Sequence, residues 1–203
     1  MIKEVLFVIL DQYADWEAAH IAAALSDPDE GEPKYRVKTV SLSREPVRSI
    51  GCFITLPDYD LESAPKDAVA VLLIGGMSWR KPEAEPVAAF VRQARESGAL
   101  IGGICDGTVF LGMHGFLNDV RHTSNTLDSL KAAAGDAYTN EEGYVREQAV
   151  FDGGIITANG MAQLEFAREV LRALQAAPEE EISEWYDFYK LGLYEAMRKR
   201  GES

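Results

Sequence analysis

Two kinds of hydrophobic pattern alternate along this chain. Short runs in which every residue is apolar are typical of strands buried on both faces of a parallel sheet, and residues 5–10 and 68–74 are the clearest examples. Between such runs lie longer segments with apolar residues at helical spacing. The predicted strands cover residues 5–10, 35–42, 51–56, 68–74, 99–105 and a turn-containing stretch at 149–158. The predicted helices cover residues 15–25, 82–97, 106–113, 126–134, 162–173 and 179–200.

This alternation of strands and helices predicts an α/β fold, a three-layer sandwich with a mostly parallel sheet between helices. The 203 residues suffice for a substantial core, and we expect a single domain over residues 1–203. Residues 26–33 are predicted to form a polar loop. The helix at 179–200 carries an aromatic stripe, which predicts either packing against the domain or a subunit interface.

Composition and charge narrow the classes of partner. Hydrophobic residues make up 47% of the chain and the net charge is −13, so we expect a globular protein that nucleic acid and anionic membranes repel. The apolar run at residues 5–10 is too short for a signal peptide or a membrane span. The two cysteines lack the spacing of metal ligands or of a disulfide framework, so we expect a cytoplasmic protein with free thiols, no metal and no cofactor.

Cys105 lies where a predicted strand turns into a predicted helix. Gly103 and Gly107 flank it at two residues on either side, and glycines at these positions give a sharp turn the room that it needs. This arrangement is typical of a nucleophile elbow, with sulfur in place of the usual serine oxygen. The alternative is a small apolar cysteine buried beside a tight strand–helix contact.

Three segments should meet at the carboxyl ends of the strands, where α/β folds bind ligands. These are the segment with Glu17, the pair Gly75 and Gly76, and Cys105 itself. An ionised Glu17 raises the pKa of the thiol, whereas a protonated one donates a hydrogen bond to sulfur and lowers it. A solvated or helix-capping glutamate is the alternative.

Backbone donors are also expected at this edge. The amides of Gly76 and Asp106 can form an oxyanion hole, although a simple strand-ending turn at Gly75 and Gly76 is equally consistent with the pattern. Trp79 is predicted either to wall the pocket or to pack in the core. The carboxylate of Asp106 hinders thiolate formation unless it points away from sulfur.

A general base is harder to identify, because cysteine hydrolases usually use a histidine. His20 lies on the apolar face of the first helix, and His114 follows the elbow helix by more than two turns. His122 lies near a predicted strand end and is the remaining candidate.

At these residues the chain resembles the ThiJ/PfpI superfamily, which belongs to the class I glutamine amidotransferase-like folds. The resemblance covers residues 5–174 and implies a flavodoxin-like sandwich that is usually dimeric. It implies that Cys105 is the elbow cysteine, that Glu17 contacts its sulfur, and that Gly76 and Asp106 supply backbone donors. The motifs that carry it are YADWE at 13–17, LIGG at 73–76, GGICDGT at 102–108, GFLNDVRHTSN at 115–125 and ITANG at 156–160.

Two departures from the family pattern argue against peptidase and glutaminase activity. Protease-like members carry a histidine directly after the cysteine, where this chain has Asp106. Other members carry a histidine where this chain has Asn125, with His122 three residues earlier. The chain most resembles a bacterial subgroup often called intracellular proteases or amidases, without a settled substrate.

Three hypotheses of function follow. The first is a Cys105-dependent enzyme, of hydrolase or glyoxalase-like lyase type, that acts on a small electrophilic carbonyl or amide-like substrate. The second is an oxidative-stress or redox-sensing protein in which Cys105 is oxidised, with Cys52, on a predicted strand, as a control that should resist oxidation if it is buried. The third is a binding module without chemistry. In each case we expect a small-molecule ligand and a homodimer.

Overall fold

The computed structural model describes residues 2–26 and 34–201. All but the first residue of the predicted polar loop at 26–33 lies outside the described residues. The strands are β1 Lys3–Val8, β2 Tyr35–Ser41, β3 Val47–Arg48, β4 Ile54–Thr55, β5 Tyr59–Asp60, β6 Ala70–Leu73, β7 Leu100–Ile104, β8 Ala149–Asp152 and β9 Ile155–Ala158. The α-helices are α1 Asp15–Ser26, α2 Pro86–Glu96, α3 Asp106–Met113, α4 Leu127–Ala134, α5 Gln163–Leu174, α6 Glu179–Leu191 and α7 Leu193–Lys199.

In the described part of the chain, seven strands form one sheet in the order β5-β2-β1-β6-β7-β9-β8. Every neighbouring pair is parallel except β8 and β9, which form an antiparallel hairpin at one edge. The prediction of a mostly parallel sheet in an α/β sandwich is confirmed. Because β1, β6 and β7 are adjacent in the sheet, their carboxyl ends lie side by side, as the candidate site requires.

Successive side chains of the central strands point to opposite faces of the sheet and pack into two separate hydrophobic cores. Leu6 and Val71 face the core beneath α2, α3 and α4, whereas Phe7 and Leu72 face the core beneath α1 and α5. Side chains that alternate across both faces need apolar residues at every position, which explains the unbroken apolar runs in the sequence.

Two predicted elements differ from the structure. The strand predicted at 51–56 shrinks to β4, which pairs only with β3 in a small separate hairpin. Cys52 lies in the turn of this hairpin at a φ of 67°, so its predicted place on a strand is wrong, and it is exposed, so the condition for its resistance to oxidation is not met.

The single helix predicted at 179–200 is two helices, α6 and α7. Gly192 separates them at a φ of 82° and a ψ of 162°, a conformation that no helix continues through. Ile182 is buried and Trp185 packs against the core beneath α1 and α5, so the first half of the aromatic stripe serves intramolecular packing. A subunit interface on the remainder stays a prediction. Over the described residues, every helix is too short or too polar to cross a membrane.

Candidate functional site

Cys105 occupies a strained turn between the end of β7 and the start of α3. Its φ of 57° and ψ of −126° lie in a region that residues with a Cβ rarely adopt, and such a conformation costs about 1–3 kcal/mol. The backbone can make this turn because the residues two positions before and after Cys105 are glycines, which have no side chain. A Cβ on Gly107 would lie 2.4 Å from the Leu73 carbonyl oxygen, and one on Gly103 would lie 2.8 Å from Leu111 Cδ1. The turn therefore has the geometry of a nucleophile elbow.

Glu17 lies in the first turn of α1 and is 1% exposed. Its Oε2 accepts a hydrogen bond of 2.9 Å from the Gly75 N–H. The Cys105 side chain lies beside the carboxylate, and hydrogen bonding between the two lowers the pKa of Glu17 against the larger effect of burial. Two glycines allow the backbone to approach the Glu17 and Cys105 side chains closely. A Cβ on Gly75 would lie 2.3 Å from Glu17 Oε2, and one on Gly160 would lie 2.9 Å from Cys105 Sγ. The structure thus brings Glu17, Gly75 and Cys105 together.

The carboxyl and the thiol shift each other's protonation. Burial raises the pKa of Glu17 to about 7, against an ordinary value of 4.5. Burial, together with the charge of Glu17, raises the pKa of the Cys105 thiol to about 11. At neutral pH the thiol therefore keeps its proton, and Glu17 titrates in the neutral range instead of well below it. The ionised form of Glu17 is the form that can accept a proton.

The Asn125 side chain is hydrogen-bonded at both ends, to the sulfur and to a backbone N–H. Its Nδ2 donates to Cys105 Sγ at 3.4 Å, and its Oδ1 accepts from the Gly160 N–H at 2.8 Å. The Gly160 contact orients the amide, because only the oxygen end can accept. Hydrogen bonding from Asn125 and from the Asp106 backbone lowers the pKa of the Cys105 thiol against the larger effect of burial. Unlike histidine, an asparagine cannot accept and return a proton, so Asn125 can position and polarise but not act as a base.

Gly76 lines the cleft in front of the sulfur. It forms an antiparallel bridge with Tyr13 that is closed by hydrogen bonds from Ala14 N–H to the Gly75 carbonyl and from Met77 N–H to the Gln12 carbonyl. These two bonds leave out the N–H of Gly76, which supports its proposed role as an oxyanion donor. The N–H of Gly75 instead serves Glu17.

Arg80 makes a contact at the site that was not predicted from the sequence. Its Nε and a terminal nitrogen donate to the two carboxylate oxygens of Asp106 at 2.7 and 2.8 Å, and the same terminal nitrogen reaches Ser129 Oγ at 3.1 Å. A two-pronged pair of this kind fixes the carboxylate and neutralises its charge. The guanidinium of Arg80 therefore offsets the expected repulsion between the Asp106 carboxylate and a thiolate at Cys105. The available signal was an arginine one residue after Trp79, in the loop that follows β6.

We expect Arg80→Ala to slow alkylation of Cys105 by iodoacetamide at pH 8 by about tenfold, because the unpaired Asp106 carboxylate raises the thiol pKa further. Intact-mass kinetics in a Cys52→Ser background measure this rate without interference from the exposed thiol. Adding Asp106→Asn to Arg80→Ala should restore most of the rate, since it removes the unpaired charge. Alkylation of Arg80→Ala at the parental rate contradicts the idea.

Two predicted pocket residues lie in the core instead. Trp79 is buried, and its Nε1 donates to the Ile74 carbonyl at 2.6 Å. His122 is fully buried, with Nδ1 2.9 Å from the Val120 carbonyl and Nε2 2.8 Å from the Tyr138 hydroxyl. Both ring nitrogens are engaged, and burial lowers the pKa of His122. The prediction of His122 as a base in the pocket is therefore wrong.

The other two histidines also pack against rings elsewhere. His20 stacks edge-on with Tyr189, and His114 lies against Phe110. Among residues 2–26 and 34–201, no three His, Cys, Asp or Glu side chains are arranged to hold a metal ion.

The sulfur opens into a cleft of about 600 Å³. Cys105, Glu17, Asp106 and Asn125 lie on its polar side. Its other lining residues are Ala14, Trp16, Ile50, Gly76, Met77 and Arg80. Nothing in the sequence assigns Trp16, Ile50 or Met77 to the site, because an isolated apolar residue in a loop or helix gives no signal of exposure.

Known proteins resemble this chain over nearly all of its length. The sequence model of the DJ-1/PfpI family matches residues 3–173. The uncharacterized protease YdeA of Bacillus subtilis is 35% identical over 199 residues, which cover 98% of this chain and 97% of YdeA. A further B. subtilis relative, the uncharacterized protease YoaZ, is 29% identical and covers 93% of this chain and 91% of its own length.

Two solved structures have the same fold over nearly the whole chain. A DJ-1 superfamily protein from Agrobacterium tumefaciens superposes with a TM-score of 0.82 at 34% identity, over 92% of this chain and 97% of that one. A thiJ/pfpI family protein from Bacillus anthracis gives a TM-score of 0.89 at 28% identity, over 98% and 95% of the two chains. The resemblance indicated by the sequence motifs is confirmed, and the chain belongs to the DJ-1/PfpI family.

Proposed function

We propose that this protein is a Cys105-dependent enzyme that acts on a small electrophilic carbonyl or amide-like substrate. One observation carries the proposal. In an open cleft, the Cys105 sulfur lies beside the buried Glu17 carboxylate, accepts a hydrogen bond from the Asn125 amide and stands at the N-terminus of α3. A nucleophile, a base and fixed donors within one cleft are the components that acyl-transfer and carbonyl-addition chemistry requires.

In the proposed first step the sulfur attacks the carbonyl carbon. The C–S bond forms as the carbonyl π bond breaks, and the thiol proton passes to the Glu17 carboxylate. The N–H groups of Gly76 and Asp106 donate hydrogen bonds to the carbonyl oxygen as negative charge develops on it. With an aldehyde, Glu17 then returns the proton to that oxygen and a hemithioacetal results.

With an amide-like substrate, the second step differs. Glu17 gives its proton to the departing nitrogen, the C–N bond breaks, and a thioester remains on Cys105 until water hydrolyses it. Glu17 has to carry the proton in both steps of this route without help from a histidine, because His122 is engaged in the core. Small activated substrates are therefore favoured over peptides. The curated relatives carry the name protease, which supports hydrolytic chemistry for the family in general terms.

The test is a substrate panel of 2-oxoaldehydes, activated amides and activated esters. We expect turnover of at least one class, followed by NMR, together with a substrate-derived mass adduct on Cys105. The Cys52→Ser variant is the control that assigns the adduct, since Cys52 is exposed and reacts on its own. Neither turnover nor an adduct on Cys105 across the panel overturns the proposal.

Oxidation of Cys105 as the main function has less support. Oxidants react with thiolates, and the raised pKa of the Cys105 thiol keeps it protonated near neutral pH. Cys52 cannot serve as the resistant control, because it is exposed.

A further inference from the structure

The cleft has an apolar wall that the proposed chemistry does not use. Trp16, Ile50 and Met77 line it and are 45%, 42% and 64% exposed. We call these three side chains the apolar shelf. Trp16 directly precedes Glu17, and Met77 directly follows Gly76, so two of the three shelf residues lie on the segments that supply the proposed base and oxyanion donor. Ile50 comes from the turn between β3 and β4. A substrate held at the sulfur therefore has the shelf beside it.

The polar groups of the cleft are already occupied. Arg80 and Asp106 neutralise each other, Asn125 is held between Cys105 and Gly160, and Glu17 is buried. A charged substituent on the substrate would have to break one of these pairs, and the net charge of −13 disfavours anions in addition. The surface that remains for the rest of the substrate is the apolar shelf.

We propose, resting on the proposed function, that the substrates are uncharged carbonyl or acyl compounds whose reactive carbon bears an apolar aliphatic or aromatic group, and that the apolar shelf binds this group. Trp16 has the largest side chain of the three and is the aromatic one. Each methylene that the shelf buries should raise kcat/KM about fourfold. A substrate with a branched or aromatic group should therefore have a kcat/KM roughly 10–200-fold higher than that of the methyl compound.

The test compares 2-oxoaldehydes that carry methyl, isobutyl and phenyl groups. Each kcat/KM is divided by the rate at which the same compound reacts with free 2-mercaptoethanol, which removes intrinsic reactivity. We expect the corrected ratio of phenyl to methyl to exceed about tenfold in the parent and to fall several-fold in Trp16→Ala. Phe151→Ala is the matched control, because Phe151 is 46% exposed but lies on the edge strand β8 outside the cleft.

A second measurement does not depend on turnover. Unreactive phenylacetamide should protect Cys105 from iodoacetamide at lower concentration than acetamide does, and Trp16→Ala should remove the difference. Equal protection by both amides overturns the shelf proposal even if the protein proves inactive. Turnover with a flat corrected ratio overturns it while leaving the Cys105 chemistry standing.

The rival occupant is a second copy of this chain, because the neighbouring hairpin β3–β4 also exposes Phe53, Ile54 and Leu56. Sedimentation of Trp16→Ala separates the two. A changed oligomeric state with an unchanged substrate ratio assigns the shelf to a subunit contact and overturns the proposal. An unchanged state with a reduced ratio supports it.

Discussion

Replacing Cys105 by serine should lower kcat/KM for the best substrate of the panel by at least about 10³-fold. The Ser hydroxyl keeps the size and the hydrogen bonds of the thiol, but it is a far weaker acid. Glu17, with a pKa of about 7, is too weak a base to activate it, and both ring nitrogens of His122 are engaged in the core. The nucleophile should therefore fail while the fold remains.

Steady-state kinetics and a urea unfolding curve measure these two consequences separately. The matched control is Cys52→Ser, which makes the same chemical change in the turn of the β3–β4 hairpin and should leave kcat/KM unchanged. Parental turnover by Cys105→Ser would refute the thiol mechanism.

Glu17→Gln should lower kcat/KM by about 10²–10⁴-fold, because it removes the proposed proton acceptor while it keeps an oxygen for the Gly75 N–H. In the parent, kcat/KM should rise as the pH increases through about 7, since the ionised carboxylate is the reactive form. That inflection should vanish in the variant. A variant that keeps the inflection shows that another group titrates, and assigns the base elsewhere.

The same substitution should change stability with a definite sign. The folded protein raises the pKa of Glu17, so folding favours the protonated form, and stability falls as the pH rises from 4.5 through about 7. The resulting penalty is about 3 kcal/mol at pH 8 and below about 1 kcal/mol at pH 5. Glu17→Gln removes this penalty. It should therefore be more stable than the parent at pH 8 and nearly equal to it at pH 5.

Glu165→Gln is the control with the opposite sign. Burial alone raises the pKa of Glu165, but hydrogen bonds from Lys190 and Tyr186 outweigh it and lower that pKa below its ordinary value. Its ionised form therefore stabilises the fold above pH 4.5, and Glu165→Gln should lose stability at pH 8. Urea unfolding of all three proteins at both pH values decides the matter. Equal stability of Glu17→Gln and the parent at pH 8 contradicts the burial account.

The parts of the site that lie next to one another in sequence were predictable. The spacing of Gly103, Cys105 and Gly107 specifies a sharp turn through sterics alone, and the apolar run before it specifies a buried strand. Glu17 and Gly76 followed from a rule of topology, because parallel strands that are adjacent in a sheet bring the segments after them together. The family motifs pointed to the same residues.

What the sequence could not predict depends on loops and on side-chain directions. His122 was expected at the pocket because of its place near a strand end, but the loop turns its ring toward Val120 and Tyr138. The helix expected at 179–200 breaks at Gly192, since helical spacing continues across a glycine whether or not the backbone does. Cys52 was expected on a buried strand and lies in an exposed turn.

By itself, then, the sequence determined the layered fold and the elbow at Cys105, because hydrophobic periodicity and glycine sterics act over a few residues. It also determined the approach of Glu17, because the order of parallel strands brings the segments that follow them together. Only the tertiary structure decided that Arg80 neutralises Asp106, that Gly160 orients Asn125, and that Trp16 faces the cleft. Each of these contacts joins segments whose separation is set by loop conformation, and no local pattern encodes that.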